Sequence, residues 1–344
     1  MSFGIMTDHI QNLWASLVPN HPQIKTHQPI SQSRYHNVWK ITTTDQAIFA
    51  VKHHLFATLT HGKPYDLLTV ETNVTTQLLK EGVSVPPIVA TSPEHGLAIY
   101  EWCGDQTVDD HCQHEISKDI TNQIINTLLD LEATFQKHTA QLQSYTAPGS
   151  TLQDTLTTFI ETVTPLTEIL PNLIHTLTNQ APSHLLAHWH KIVANIKESP
   201  QRLGPTDYNA RNIVLSNTHQ PYILELAKIG YDWPERRLIQ YTTSLGAHLP
   251  TGRIIGLITP EAAYTYAQSA AKYRPASENQ ILTTLDNHHL IFHLLAALHC
   301  LQASTSPHHP WQNIDARLHD IQTALSQPFS NFESALFFRN LFQA

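Results

Sequence analysis

The chain alternates between two kinds of hydrophobic periodicity, and the change falls about a third of the way along. Residues 5–18 place Met6, Ile10, Leu13 and Leu17 at three-to-four spacing, which predicts a short amphipathic helix. From about 24 to 54 the period drops to two. "YHNVWKITT" and "AIFAVKHH" are β-prone runs separated by "TDQ", the pattern of a hairpin. "PYDLLTVETNVTTQLLKEG" returns to helical spacing through Leu67, Val70, Val74 and Leu78, with Gly82 just past its end. "VSVPPIVAT" and "GLAIYEWC" predict two further strands joined by the turn "SPEHG".

Beyond Gly104 the texture is helical. "SKDITNQIINTLLDLEATFQKHTAQL" has a Ser start and one apolar face. Residues 151–175 and 183–197 predict further helices, the first broken at Pro165 and Pro171. The stretch 204–234 interrupts the helices with two short apolar runs around a turn, and from 259 to 344 helical spacing resumes. The expected fold is α+β in two lobes: a β-rich N-lobe over 1–102 with one internal helix, a linker near 100–106, and a mostly helical C-lobe over 103–344.

Composition narrows the function classes. At 344 residues with 41% hydrophobic content the chain can bury a large core. Its net charge of −8 and lack of a Lys/Arg run argue against nucleic-acid binding, which needs clustered cations. With 24 His, mild acid shifts that charge appreciably. Cys103, Cys112 and Cys300 are too scattered for a disulfide framework and suggest a reducing compartment. No apolar run approaches spanning length, and the start has no basic segment followed by an apolar one. The expectation is a cytoplasmic protein with neither membrane nor nucleic-acid partner; its oligomeric state is not readable.

Candidate chemistry concentrates in "GPTDYNARNIVLSNTHQPYILELAKIGYDWP". A hairpin centred between Thr218 and His219 sets Asn212 opposite Glu225, with Asp207 in the loop upstream. An amide oxygen and a carboxylate beside a third acidic group suit Mg²⁺ and nucleotide phosphates. A surface hairpin with unrelated polar ends is the other reading of the same residues. Upstream, Lys52 ends a strand and Glu71 shares a helix face with Val74 and Leu78, so each is a natural partner for the other. His289/His293 and His184/His188 have zinc-like spacing without an evident third ligand. Asp105, Asp109 and Asp110 form either a solvated turn or a patch that attracts a cationic substrate. Trp189 is expected in the core.

In this order the pieces resemble the aminoglycoside phosphotransferase and choline-kinase branch of the protein-kinase-like fold, from about 30 to 240. "HNVWKI" and "AVK" resemble its second strand and phosphate-lysine strand, and "VETNVTTQLLKEGVSVPPIVAT" its glutamate helix and Val-Pro strand. "GLAIYEWCGD" is similar to the hinge, "TDYNARNIVL" to the catalytic loop and "ILELAKIGYDWP" to the metal strand. The resemblance implies an ATP-dependent kinase acting on a small molecule. Asp207 would be the catalytic carboxylate, Asn212 and Glu225 the Mg²⁺ ligands, Lys52 and Glu71 the phosphate-holding pair, and the Glu101–Cys103 backbone the adenine contact.

Four positions depart from that pattern. Pro205-Thr206 stand where the family has His-Gly, Glu225 replaces an Asp, and Arg237 occupies the place of a bracing Asp. The hairpin "SQSRYHN" lacks the family's glycines, leaving Arg34 as the phosphate contact there or as an ordinary turn residue. These departures keep a second class open, a catalytically impaired kinase-like module that binds a nucleotide, metabolite or protein. A third option is an antibiotic-resistance enzyme proper. The phosphoryl acceptor and the choice between ATP and GTP are not legible.

Overall fold

A computed structural model describes residues 3–32, 36–55, 58–60, 63–114, 117–306 and 309–343. Arg34 lies outside the described residues. The first lobe is built on a five-stranded antiparallel sheet in the order β1-β2-β3-β5-β4, where β1 is Ile24–Gln32, β2 His36–Thr43, β3 Ile48–His54, β4 Ile88–Ser92 and β5 Leu97–Glu101. The two faces of the sheet have different partners. Trp39, Ile41, Phe49, Val51, Leu97 and Ile99 point to one side, where Ile10, Trp14 and Val18 of helix α1 (Phe3–Leu17) and its following residue cover them. On the other side runs α2 (Leu67–Lys80), started by Asp66, whose carboxylate accepts from Thr69 N at 3.1 Å. Leu67, Val70, Val74 and Leu78 form its buried stripe, and Gly82 follows at φ 79.

The second lobe is helical: α3 (Val108–Cys112), α4 (Lys118–Lys137), α5 (Leu152–Thr178) and α6 (Leu185–Glu198). Then come β6 (Arg202–Pro205), β7 (Ile213–Leu215), β8 (Pro221–Ile223), β9 (Ile229–Asp232) and α7 (Pro234–Tyr241). Four helices finish the chain: α8 (Pro260–Ala270), α9 (Glu278–Ser304), α10 (Ile314–Leu325) and α11 (Glu333–Leu341). Helix α9 is buried on nearly all sides. Its Asp286 is fully enclosed and pairs with Arg339 at 2.6 Å, so the buried charge is compensated.

The expected break at Pro165 and Pro171 is corrected: α5 runs through both. Each proline faces solvent, where the carbonyls it frees can be hydrated. Phe159, Val163, Leu166, Leu170, Leu173, Ile174 and Leu177 meanwhile hold the opposite face in the core. His289 and His293 are buried, with His293 Nδ1 2.8 Å from His289 O, and His188 stacks on Phe337. No group of three His, Cys, Asp or Glu among the described residues is placed to hold a metal. Nor is any described helix long and apolar enough to cross a membrane. Trp189 is fully buried.

The chain leaves the sheet after Glu101 and passes through Trp102–Gly104 toward the helices. Trp102 N donates to Ile48 O (3.3 Å), and Lys40 of β2 reaches across the hinge to pair with Asp105. Gly104 has φ 157, and a Cβ there would stand 2.0 Å from Leu215 O, so the hinge lies directly on β7.

Candidate active site

Period two on the first sheet places Lys52 and His54 on one face, and the cross-strand register adds His36 opposite His54. This face looks toward α2 and the second lobe. Lys52 Nζ donates to Glu71 Oε1 at 2.9 Å and to Glu225 Oε2 at 3.0 Å, joining α2 to the hairpin of the other lobe. Two of its three ammonium hydrogens are thereby used, and no third acceptor is present among the described residues. His54 Nε2 lies 2.9 Å from Glu71 Oε2, and His36 Nε2 lies 3.6 Å from Glu225 Oε1.

The electrostatics follow from burial against pairing. Burial opposes the charge of Glu71, but Lys52 and His54 outweigh it and hold the carboxyl down to about 2. Burial likewise opposes the Lys52 ammonium, and the charges of Glu225 and Glu71 raise its pKa above the ordinary lysine value. For His36, burial prevails: its pKa is lowered, Glu225 pulling the other way and Lys52 adding to the decrease. The Tyr100 hydroxyl, near the end of β5, is buried without a hydrogen bond among the described residues; burial and then Glu71 and Glu225 raise its pKa.

Asp207 sits on the loop between β6 and a single 3-10 turn at Ala210–Asn212. That loop is closed locally by asparagines. Asn209 Oδ1 accepts from Arg211 N (3.0 Å), and Asn212 Nδ2 donates to Asp207 O (2.7 Å) and Asp207 Oδ1 (3.2 Å). Asn209 Nδ2 adds 3.2 Å to the same carboxylate oxygen. Asp207 remains exposed, and Asn212 Oδ1 accepts no hydrogen bond among the described residues.

The hairpin register differs from the sequence expectation by one residue. Ile213 pairs with Ile223, and Leu224 N bonds Asn212 O at 2.8 Å, so Asn212 stands beside Leu224 rather than Glu225. The cause is the turn, in which His219 takes a left-handed φ of 62 and Ser216 N closes on Gln220 O. Glu225 lies past the end of β8 with φ 58, a conformation unusual for a side chain with a Cβ. From this position its carboxylate accepts from Lys52.

The acidic residues after the hinge are tied into the fold. Asp110 caps α3 with Thr107, and Asp109 accepts from Ser244 Oγ at 2.6 Å and lies 3.0 Å from His248 Nε2. The Cys103 thiol, its pKa pushed up to about 12 by burial and then Glu101, contacts Glu101 O at 3.6 Å. His54 and His36 were missed in the sequence reading, although strand period two aligns His54 with Lys52; His36 joins them only through the β2–β3 register.

Compared with solved structures, the chain aligns over 97% of its length with 98% of a spectinomycin phosphotransferase in complex with ADP and spectinomycin (14% identity, TM-score 0.50). It aligns over 92% with 97% of the GDP complex of an aminoglycoside 2'-phosphotransferase (11%, 0.53). An aminoglycoside phosphotransferase from Alicyclobacillus acidocaldarius matches 95% of the chain and 94% of its own length (11%, 0.50). No family model matches the chain, and no curated protein matches it in sequence. The chain therefore has the two-lobed protein-kinase-like fold, and its structural neighbours are those the ordered motifs resemble.

Proposed function

We propose that the protein is an ATP-dependent phosphotransferase acting on a hydroxyl of a small molecule, with lobes divided at 102/103. The observation that carries this reading is the Lys52 ammonium, clamped by Glu71 from one lobe and Glu225 from the other with an N–H left over. A buried, doubly held lysine is a fixed point charge suited to nucleotide phosphates. Adenine would lie against the backbone of Glu101 and Cys103. Asp207, exposed and oriented by Asn209 and Asn212, would accept the proton of the acceptor hydroxyl. The neighbours hold ADP, GDP and antibiotics, which agrees with a nucleotide and a polyhydroxylated acceptor.

The donor set fits Mg²⁺. Among the described residues Asn212 Oδ1 has no hydrogen-bond donor, and Glu225 supplies a hard carboxylate, the one or two protein oxygens that this ion takes beside phosphates. Bound there, Mg²⁺ would neutralise charge on the phosphate oxygens. Glu225 would share its carboxylate between this role and Lys52.

Calorimetric titration with ATP, with and without Mg²⁺, tests the reading. Magnesium-dependent binding weakened by Lys52→Ala is expected. Asp207→Ala should then lower turnover by about 10²–10⁴-fold with nucleotide affinity retained. Absence of binding under both conditions would sink the proposal. The left-handed Glu225, already engaged by Lys52, favours a second reading as a catalytically impaired nucleotide-binding module. Glu225→Asp separates the two, since an active enzyme built around Glu loses activity and a binding module is indifferent.

A further inference from the structure

Arg237 is buried in α7 at 3% exposure, yet no carboxylate lies within salt-bridge distance of its guanidinium among the described residues. Its donors go to the backbone instead. Nε reaches Pro205 O at 2.9 Å, and Nη2 reaches both Arg202 O and Gly230 O at 2.9 Å. These carbonyls belong to β6 and β9, which pair through Gly204 opposite Gly230 and Pro205 opposite Ile229. The guanidinium lies on Gly204, where a Cβ would stand 2.7 Å from its Cζ. A side chain at 204 would push the fork off the ribbon.

A charge buried without a counter-ion is a poor choice for stability alone, because an apolar side chain of similar volume would avoid the desolvation cost. What an apolar group cannot do is donate to three converging carbonyls. Arginine's rigid planar fork can, and it fixes their directions together. Pro205, one of the three, is two residues before Asp207. The next residue is pinned as well, Thr206 N donating to Lys228 O at 3.1 Å. On the far side of Asp207, Tyr208 Oη donates to Asp232. The loop is thus held at 205, 206 and 208 without the His-Gly pair or the acid brace of the resembled family.

We propose that Arg237 is the positioning residue for Asp207: it grips the catalytic loop by carbonyls, with polarity opposite to the carboxylate brace that the sequence pattern leads one to expect. The proposal rests on the reading of Asp207 as the proton acceptor. An acid at 237 would face three carbonyl oxygens, so the substitution toward the family residue is the damaging one.

Hydrogen exchange on the full chain, with Mg·ATP affinity and the basal rate of ATP hydrolysis, tests this. In Arg237→Met, amides of 206–212 should exchange about tenfold faster or more, while those of β3 and α2 stay protected. Mg·ATP affinity should hold within about threefold and hydrolysis fall about 100-fold, as expected when a catalytic group is misplaced by an ångström. Arg237→Lys, which keeps the charge but not the fork, should fall between, and Arg237→Asp should be worst. If the Met variant does not fold, the Lys variant carries the same comparison. Loop exchange and hydrolysis indistinguishable from the native protein would overturn the proposal. So would protection lost evenly across the helical lobe with hydrolysis per folded molecule unchanged, which marks a purely structural residue. A native protein that binds no Mg·ATP refutes the phosphotransferase reading, and loop exchange still decides whether Arg237 holds the loop.

Discussion

Replacing Lys52 by methionine removes the one cation that Glu71 and Glu225 share. The Lys52 side chain is 6% exposed and that of Glu71 7%, so water cannot substitute for the lost partner without local opening. Breaking a buried pair from one side costs about 3–5 kcal/mol. Glu71 gives an independent route to the magnitude. Its carboxyl is held down to about 2 against an ordinary 4.5, and that gap is worth about 3 kcal/mol. A depressed carboxylate contributes its full stability above the ordinary pKa and loses it as pH falls toward the folded value. The native protein therefore keeps this contribution at pH 7. In the variant burial is left to act on Glu71 with only His54 beside it, so its pKa rises and the carboxyl protonates on mild acidification. Urea unfolding followed by tryptophan fluorescence should show a loss of about 3–5 kcal/mol at pH 7.5, narrowing as pH falls toward 5. The double variant Lys52→Met/Glu71→Leu should recover most of the loss, because an apolar pair of similar volume avoids the buried charge. Nucleotide binding should be weakened in both, because neither restores the ammonium. A loss below about 1 kcal/mol for Lys52→Met, a value typical of exposed pairs, would mean the pair is hydrated and the reasoning is wrong.

His288, His289 and His293 are buried in α9, and burial first, with Arg236 (for His288), His293 and Arg339 (for His289) or Arg339 (for His293), lowers their pKa values, that of His293 to about 4. Neutral in the fold, they contribute stability above pH 6.5 that is lost as pH falls below it; three such groups imply a loss of about 4 kcal/mol between pH 7.5 and 5.5. Unfolding free energy flat across that interval would contradict the assignment. Pro165→Ala should stabilise α5 by about 1–2 kcal/mol, read as a raised Tm, because the proline withholds a helix hydrogen bond on the solvent face. A lowered Tm would mean that the proline shapes the helix. Gly104→Ala should cost about 3 kcal/mol or more, given a Cβ 2.0 Å from Leu215 O and a φ of 157, and unaltered stability would show that the hinge can move off β7.

Much of this protein was legible from local pattern. The change from period two to period 3.6 marked a β-rich part followed by a helical one, and α2 appears where Leu67, Val70, Val74 and Leu78 predicted it. Strand alternation and helix faces are set by neighbours in sequence, so they can be read without the fold. The partnership of Lys52 with Glu71 was legible for a related reason, since a carboxylate on an inward face demands a cation.

Tertiary structure decided the rest, wherever a residue's partner is remote in sequence. Pro165 and Pro171 ended a helix by propensity, but an apolar face packed along α5 outweighed two missing hydrogen bonds that solvent can replace. The 212–225 pairing failed because one left-handed residue, His219, closes the turn and shifts register, a choice the apolar alternation does not encode. The acids at 105, 109 and 110 read equally as a solvated turn or as a patch for a cationic substrate; their partners Lys40, Ser244 and His248 come from distant segments that local pattern does not reveal. Arg237 stood in the sequence only as a wrong charge at a bracing position. Its meaning came from three carbonyls on two strands converging on one point, and backbone carbonyls leave no trace in the identity of the residues that carry them.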